Sequence, residues 1–199
     1  MSQPITTEKL LLVEGKDELN GYVGLRDMLG LDGIDIRVFD GTENLKGVLR
    51  GLPSVEGFRG LVSLGIVRDA EEDYKRALQR VQSALGNAGL PVPEKALAPK
   101  GEKPRVVFLI NPDGKASGSL DDVCVESVKG DSRMECVELF VDCLERIGKK
   151  PKKVAKTRSQ AFIASCEQPE LSLGVAMKAG YFPLNDAAFE PARRLLTML

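Results

Sequence analysis

Four short apolar runs, spaced by helix-like stretches, constrain this chain more than any other feature. Residues 9–13 (KLLLV) precede a helical pattern in which Leu19, Tyr22, Val23, Leu25 and Leu29 recur at mainly three- and four-residue spacing until Gly30. Residues 34–39 (IDIRVF) alternate with period two, as a strand exposed on one face does. A short amphipathic helix follows, with Leu45, Val48, Leu49 and Leu52 closed by Pro53. Residues 60–67 (GLVSLGIV) are apolar almost throughout, the pattern of a strand covered on both faces. Residues 74–85 predict a helix with Ala77, Leu78, Val81 and Leu85 on one side. After an exposed loop with four prolines at residues 89–104, residues 105–110 (RVVFLI) form the fourth run. Strands alternating with helices imply an α/β fold of Rossmann-like type: a mainly parallel four-stranded sheet with helices on both faces.

The second half breaks this rhythm and reads as mainly helical, which predicts a helical C-terminal extension packed on the sheet. Ser132 and Glu135 have the spacing of a capping box, and Val137, Phe140, Val141, Leu144 and Ile147 supply an apolar stripe. Residues 160–166 and 189–198 also read as helical. The expected organisation is one domain over residues 1–199, with a core at about 8–115 and the extension at about 116–199.

Composition removes several chemistries. The 199 residues include no histidine and no tryptophan, so there is no Ser-His-Asp triad, no Cys-His pair and no HExxH zinc site. Cys124, Cys136, Cys143 and Cys166 contain no CxxC pair, and their apolar neighbourhoods predict reduced, mostly buried thiols in a cytoplasmic protein. The amino-terminal MSQPITTEK lacks a signal pattern, and no apolar run is long enough to span a bilayer, so no membrane association is expected. The net charge of −1 does not favour a surface coated for nucleic acid, although residues 146–158 hold seven Lys or Arg and no acid.

The carboxylates fall in a pattern. Glu14, Asp40, Asp69 and Asp113 each follow one of the four runs within a few residues. In an open parallel sheet the carboxyl ends of the strands share one edge, where ligands bind. The third strand leads into Arg68-Asp69-Ala70-Glu71-Glu72-Asp73, four carboxylates in five positions. Such a cluster repels itself unless a cation compensates, and oxygen ligands without histidine select a hard one: Mg2+, Mn2+ or Ca2+. Asp40, within FDGTE, reads as a turn or cap residue, and Glu72 and Asp73 as helix-start residues. Glu14 and Asp69 come straight off buried strands and are the strongest metal-ligand candidates.

Val13-Glu14-Gly15-Lys16-Asp17-Glu18 resembles the first signature of the Toprim domain, a catalytic module shared by topoisomerases, bacterial primases, ribosomal-RNA maturation ribonucleases and OLD-family nucleases. Asp69-Ala70-Glu71 stands where that family carries Asp-x-Asp, with Glu in place of the second Asp. Gly118-Ser119-Leu120-Asp121-Asp122 resembles the Gly-x-Leu-Glu segment of OLD-like and related uncharacterised Toprim families, with Asp121 in place of Glu. The run from Lys156 to Ala164, with Gly174, Gly180-Tyr181-Phe182 and Ala188-Phe189, is similar to their C-terminal part. The ATPase domain that OLD nucleases carry on the same polypeptide has no counterpart in these residues, so the resemblance leaves room for a separate ATPase or other protein partner.

The resemblance implies metal-dependent phosphodiester hydrolysis or related phosphoryl transfer on DNA or RNA. Glu14, Glu18, Asp69, Glu71 and Asp121 would be metal ligands, with Glu14 and Lys156 catalytic. Mg2+ or Mn2+ would be the cofactor, and Ca2+ fits the same ligands as a non-catalytic occupant. Tyr22, Tyr74 and Tyr181 have no context marking a nucleophile, so water is the expected attacking group. The alternative is a catalytically inactive Toprim-like binding or regulatory module acting with a partner, motivated by the substitutions at Glu71 and Asp121. A receiver-like use of Asp69 as phospho-acceptor would leave Glu14 without a role.

Overall fold

The computed structural model describes residues 3–41 and 44–199. Met1 and Ser2 of the amino-terminal segment, and Thr42 and Glu43 of FDGTE, lie outside the described residues. Strands β1 (Lys9–Val13), β2 (Ile34–Val38), β3 (Ser63–Asp69) and β4 (Arg105–Asn111) form one sheet in the order β2-β1-β3-β4, every pairing parallel. Eight α-helices accompany it among the described residues: α1 (Lys16–Met28), α2 (Leu45–Gly51), α3 (Tyr74–Asn87), α4 (Leu120–Ser127), α5 (Arg133–Arg146), α6 (Val154–Ala164), α7 (Leu173–Lys178) and α8 (Glu190–Thr197). This is the expected α/β arrangement, with the C-terminal helices in place.

Side chains alternate across each strand and divide the core in two. Leu10, Leu12, Leu64, Ile66, Val106 and Phe108 join α2 and α3 on one face. Leu11, Val13, Val67, Val107 and Leu109 face the other way, into a cluster shared by α1 and the C-terminal helices. Both central strands are therefore buried on two sides, which explains their unbroken apolar runs. The last residues seal the second face: Ser63 Oγ donates to the Leu199 carbonyl at 2.7 Å, and Arg105 Nη2 to that of Met198 at 2.6 Å.

Several details differ from the sequence reading. Strand β3 begins at Ser63 rather than residue 60, because residues Phe58–Gly60 close a 3-10 turn entered through Gly57, and it runs on to include Asp69. The Ser132–Glu135 capping box does not form: Ser132 has helical backbone angles, and Asp131 accepts instead from the Arg133 N–H at 2.9 Å. Val137 and Val141 are buried as expected, but Phe140 and Ile147 of the same stripe are exposed, since α5 packs through the adjacent line that includes Met134. That outward face also carries Cys136 and Cys143, so two of the four thiols are exposed rather than buried. Helix α6 starts at Val154, well before residue 160, and takes up the end of the basic run. No helix among the described residues is long and apolar enough to cross a membrane.

Candidate active site

A cleft of about 780 Å³ opens at the carboxyl edge of the sheet. Glu14, Glu18, Asp69, Glu71, Asp121 and Lys156 all line it, although they come from the end of β1, α1, β3, the turn after β3, α4 and α6. Asp40 and Glu72 stand at its rim. Asp113 does not line it; its Oδ1 accepts from the Lys115 and Ala116 N–H groups and holds a local turn. Asp73 likewise caps α3, accepting from the Arg76 N–H at 3.0 Å. The second half contributes Asp121 and Asp122 to the cleft.

Asp69 is the most tightly held of these groups. Its register partner on β4 is Asn111, and equal parity along the strands puts both side chains on one face. Asn111 Nδ2 donates to Asp69 Oδ1 at 2.9 Å, and the Leu120 N–H at the start of α4 donates to the same oxygen at 3.1 Å. A helix N-terminus carries partial positive charge and favours an anion there. Burial nevertheless dominates, pushing the Asp69 carboxyl well above its ordinary range; the Asn111 hydrogen bond opposes this, and Glu18, Glu14 and Glu71 add to it.

Glu14 lies one residue beyond β1, on the opposite parity, and faces Arg68. Burial raises its pKa, and the Arg68 charge and a hydrogen bond from the Asp69 backbone counteract part of that rise. Glu14 Oε2 is buried and has no hydrogen-bond partner among the described residues. Glu18, one turn into α1, is raised chiefly by burial and then by Glu14 and Asp17. Gly15 makes their proximity feasible: a Cβ there would stand 2.9 Å from Glu18 Oε2. Beneath them the Tyr22 hydroxyl is buried without a partner among the described residues. Its pKa is driven up by burial, then by the charges of Asp69 and Glu18.

Glu71 sits in a left-handed backbone conformation, φ 53°, uncommon for a residue with a side chain. Its N–H and C=O pair with those of Gly118, both at 2.8 Å, which pins the turn after β3 to the segment preceding α4. Gly118 has φ 139° and a tight neighbourhood, with a Cβ placed 3.0 Å from Asp122 Oδ2. Asp122 Oδ2 in turn accepts from the Ser119 N–H at 2.8 Å and hydroxyl at 2.9 Å, fixing the start of α4. Asp121, beside it, accepts a short hydrogen bond from the buried Ser159 hydroxyl of α6. Its pKa is raised by burial, against the lowering effects of Ser159 and of Lys156.

Two further residues shape the cleft. Asn111 orients Asp69, and the in-register ends of β3 and β4 were the available signal. Lys153, rather than Lys156, pairs directly with a cleft carboxylate: its Nζ stands 3.0 Å from both Glu71 oxygens. That hydrogen bond leads the rise in the Lys153 pKa, to which the charges of Glu71, Asp69 and Asp121 add. Nothing in a run of seven basic residues distinguishes it beforehand.

The donor set is all oxygen, comes from five separate places along the chain and includes a buried carboxylate oxygen with no partner among the described residues. These properties fit a hard divalent cation. As the side chains stand, no three Cys, Asp or Glu among the described residues form a ready-made metal cluster. A cation would therefore have to draw Glu71 from Lys153 or bind through the remaining carboxylates.

Residues 8–199 match the model of a family described as "Protein of unknown function (DUF3226)". No curated protein matches the chain. Among solved structures, the C-terminal region of the Xanthomonas campestris pv. campestris OLD protein, phased with mercury, is similar at a TM-score of 0.42 and 14% identity, over 98% of this chain and 87% of that one. The same region phased with iodine gives a TM-score of 0.43 at 14% identity, over 98% and 86%.

Proposed function

The chain belongs to the DUF3226 family, and we propose that it is a divalent-metal-dependent hydrolase of nucleic-acid phosphodiester bonds, or a related phosphoryl-transfer enzyme, built on a Toprim-like domain. One observation carries this reading: carboxylates far apart in sequence meet in a single cleft edged by Lys152, Lys153 and Lys156. A cation-binding centre beside cationic side chains suits a phosphate diester, whose charge must be neutralised as the bond to the leaving oxygen breaks.

Glu14, Asp69 and Glu71 would hold the Mg2+ or Mn2+ ion, with Glu18 and Asp121 as further ligands. The ion, when bound, supplies Lewis-acid polarisation of a phosphate oxygen and lowers the pKa of water. Asn111 and the α4 N-terminus keep Asp69 Oδ1 in place. Ser159 does the same for Asp121, from the helix that also carries Lys156. Lys156 supplies positive charge to the phosphate in the transition state. Glu14 would take a proton from the attacking water through whichever carboxylate oxygen is not on the ion.

A second reading has its own support. The Lys153 ammonium addresses both oxygens of Glu71, which compensates the acidic cluster without a metal, as an inactive binding or regulatory module acting with a partner protein would require. Cleavage assays separate the two. Plasmid, linear duplex, single-stranded DNA and RNA are incubated with Mg2+, Mn2+ or Ca2+, comparing wild type with Glu14→Gln and Asp69→Asn. The hydrolase reading expects cutting with Mg2+ or Mn2+ that both substitutions abolish. A wild type inert with every cation, or variants as active as wild type, would contradict it.

A further inference from the structure

Helix α5 leaves one apolar face uncovered. Its buried line, Met134, Val137 and Val141, packs inward. Of the six large apolar side chains exposed among the described residues, three fall on or just after this helix: Leu139 at 63%, Phe140 at 48% and Ile147 at 64%. Exposed Cys136 and Cys143 complete the face. Cys136, Phe140, Cys143 and Ile147 follow one another at spacings of four, three and four residues, the repeat of a helix–helix seam. Leu139 borders that line. Contiguous exposed apolar surface marks an interaction site.

The charges beside the stripe indicate what that partner is. Glu135 lies in the first turn of α5 and Arg146 in the last, on the same flank as Leu139. Both are exposed, and neither has an ion-pair partner among the described residues. Consider a second copy of the helix related by a two-fold axis midway between Cys136 and Ile147. The stripe then lies on itself: Cys136 faces Ile147 of the second copy, and Phe140 faces Cys143. The flank also meets itself with its ends reversed, so Glu135 of each copy reaches Arg146 of the other. The symmetry makes this contact twice. A parallel pairing would instead bring two C-terminal ends together, each with Arg146 and Lys149, and would align the helix dipoles unfavourably.

We infer that the outer face of α5 is a self-association surface, through which two copies of this chain pair by antiparallel α5 helices. The inference stands on α5 and does not draw on the metal-binding reading of the carboxylate cleft. One helix pair falls short of a standard interface of about 1,600 Å², so the association is weak and reversible, in the micromolar range. Helix α6 packs against α5 and brings Lys156 to the cleft, so the pairing relates two carboxylate clefts by the two-fold axis.

The test is sedimentation equilibrium of the full chain with EDTA and reductant, over protein concentrations of about 1–300 μM. Wild type is expected to pass from monomer to dimer across this range. Leu139→Glu/Phe140→Glu changes two exposed side chains and is expected to stay monomeric throughout, with a circular-dichroism spectrum like that of wild type. Glu135→Arg should weaken the dimer by about three- to tenfold, and Glu135→Arg/Arg146→Glu should recover most of that loss. This charge exchange decides the matter if the apolar variant misfolds. Orientation has its own readout. In the antiparallel pair the two Cys143 residues are offset by only about 4–5 Å along the helix axis, and the two Cys136 residues by about 16 Å. A short bismaleimide should therefore join copies of Cys136→Ser, which keeps Cys143, and not copies of Cys143→Ser. A wild type that is monomeric throughout overturns the inference, as does a dimer that survives Leu139→Glu/Phe140→Glu or ignores the charge exchange. Crosslinking through Cys136 as readily as through Cys143 overturns the antiparallel arrangement.

Discussion

Lys153 Nζ lies 3.0 Å from both carboxylate oxygens of Glu71, 82 residues earlier in the chain. The pair joins the turn after β3 to the residue just before α6 and puts a monovalent cation beside a cluster of buried acids. It is the metal-free answer to the self-repulsion of that cluster.

A divalent ion competes with this ammonium. Both partners are largely exposed, so the pair contributes modestly, on the order of 0–1 kcal/mol. Lys153→Gln is expected to strengthen Mn2+ binding by up to about fivefold, the upper end of that range. Calorimetric titration checks it; weaker binding in the variant would mean that Lys153 supports the ion instead of displacing it.

Asp69 predicts the direction of a pH effect. Burial raises its folded pKa above the ordinary 3.8, so the folded state holds the proton more tightly than the unfolded state. Its contribution to stability is greatest below the unfolded value, falls as pH rises through it, and is lost above the folded value. Glu14, Glu18 and Asp121 shift the same way. In EDTA, wild type should therefore lose stability from this cluster as pH rises above about 4. Asp69→Asn, which keeps an acceptor for Asn111 and Leu120, should show a flatter profile. Asp69→Ala leaves those donors without their acceptor and should cost about 1–3 kcal/mol. Thermal melts across pH decide the matter, and identical profiles for wild type and Asp69→Asn would refute it.

Gly15 separates folding from site geometry. A methyl group there meets only the far end of the Glu18 side chain, at 2.9 Å from Oε2, so the backbone has no reason to move. Gly15→Ala should change stability by less than about 1 kcal/mol. Displacement of the Glu18 carboxylate should nonetheless lower cleavage by about 10- to 100-fold. Melting and initial-rate measurements on one preparation test both halves; full activity would remove Glu18 from the site.

Much of the site was legible because strand ends are local features. An apolar run that stops at Glu14 or Asp69 marks the carboxyl edge of a parallel sheet, whereas Asp121 is marked only by the resemblance of residues 118–122 to a Gly-x-Leu-Glu segment. Other features depend on partners distant in sequence. Asp113 follows its strand as Glu14 does, yet it folds back onto Lys115 and Ala116. Lys153 is distinguished from its basic neighbours only by where α6 lies against the turn at Glu71. The start of β3 is hidden in the sequence because Leu61 and Val62 are as apolar as a strand, and only pairing with β1 from Ser63 onward marks the boundary. The exposed face of α5 escaped notice because an apolar stripe does not reveal which of its edges finds a partner.

The claim underlying all of this is that the carboxylate cleft binds a divalent cation. Its most direct test is calorimetric titration of Mn2+ into the metal-free protein near neutral pH, with wild type, Glu14→Gln and Asp69→Asn side by side. The account predicts saturable binding by wild type, weakened at least about tenfold when either charge is removed, with folding intact. No saturable binding by wild type, or equal binding by all three proteins, would contradict it.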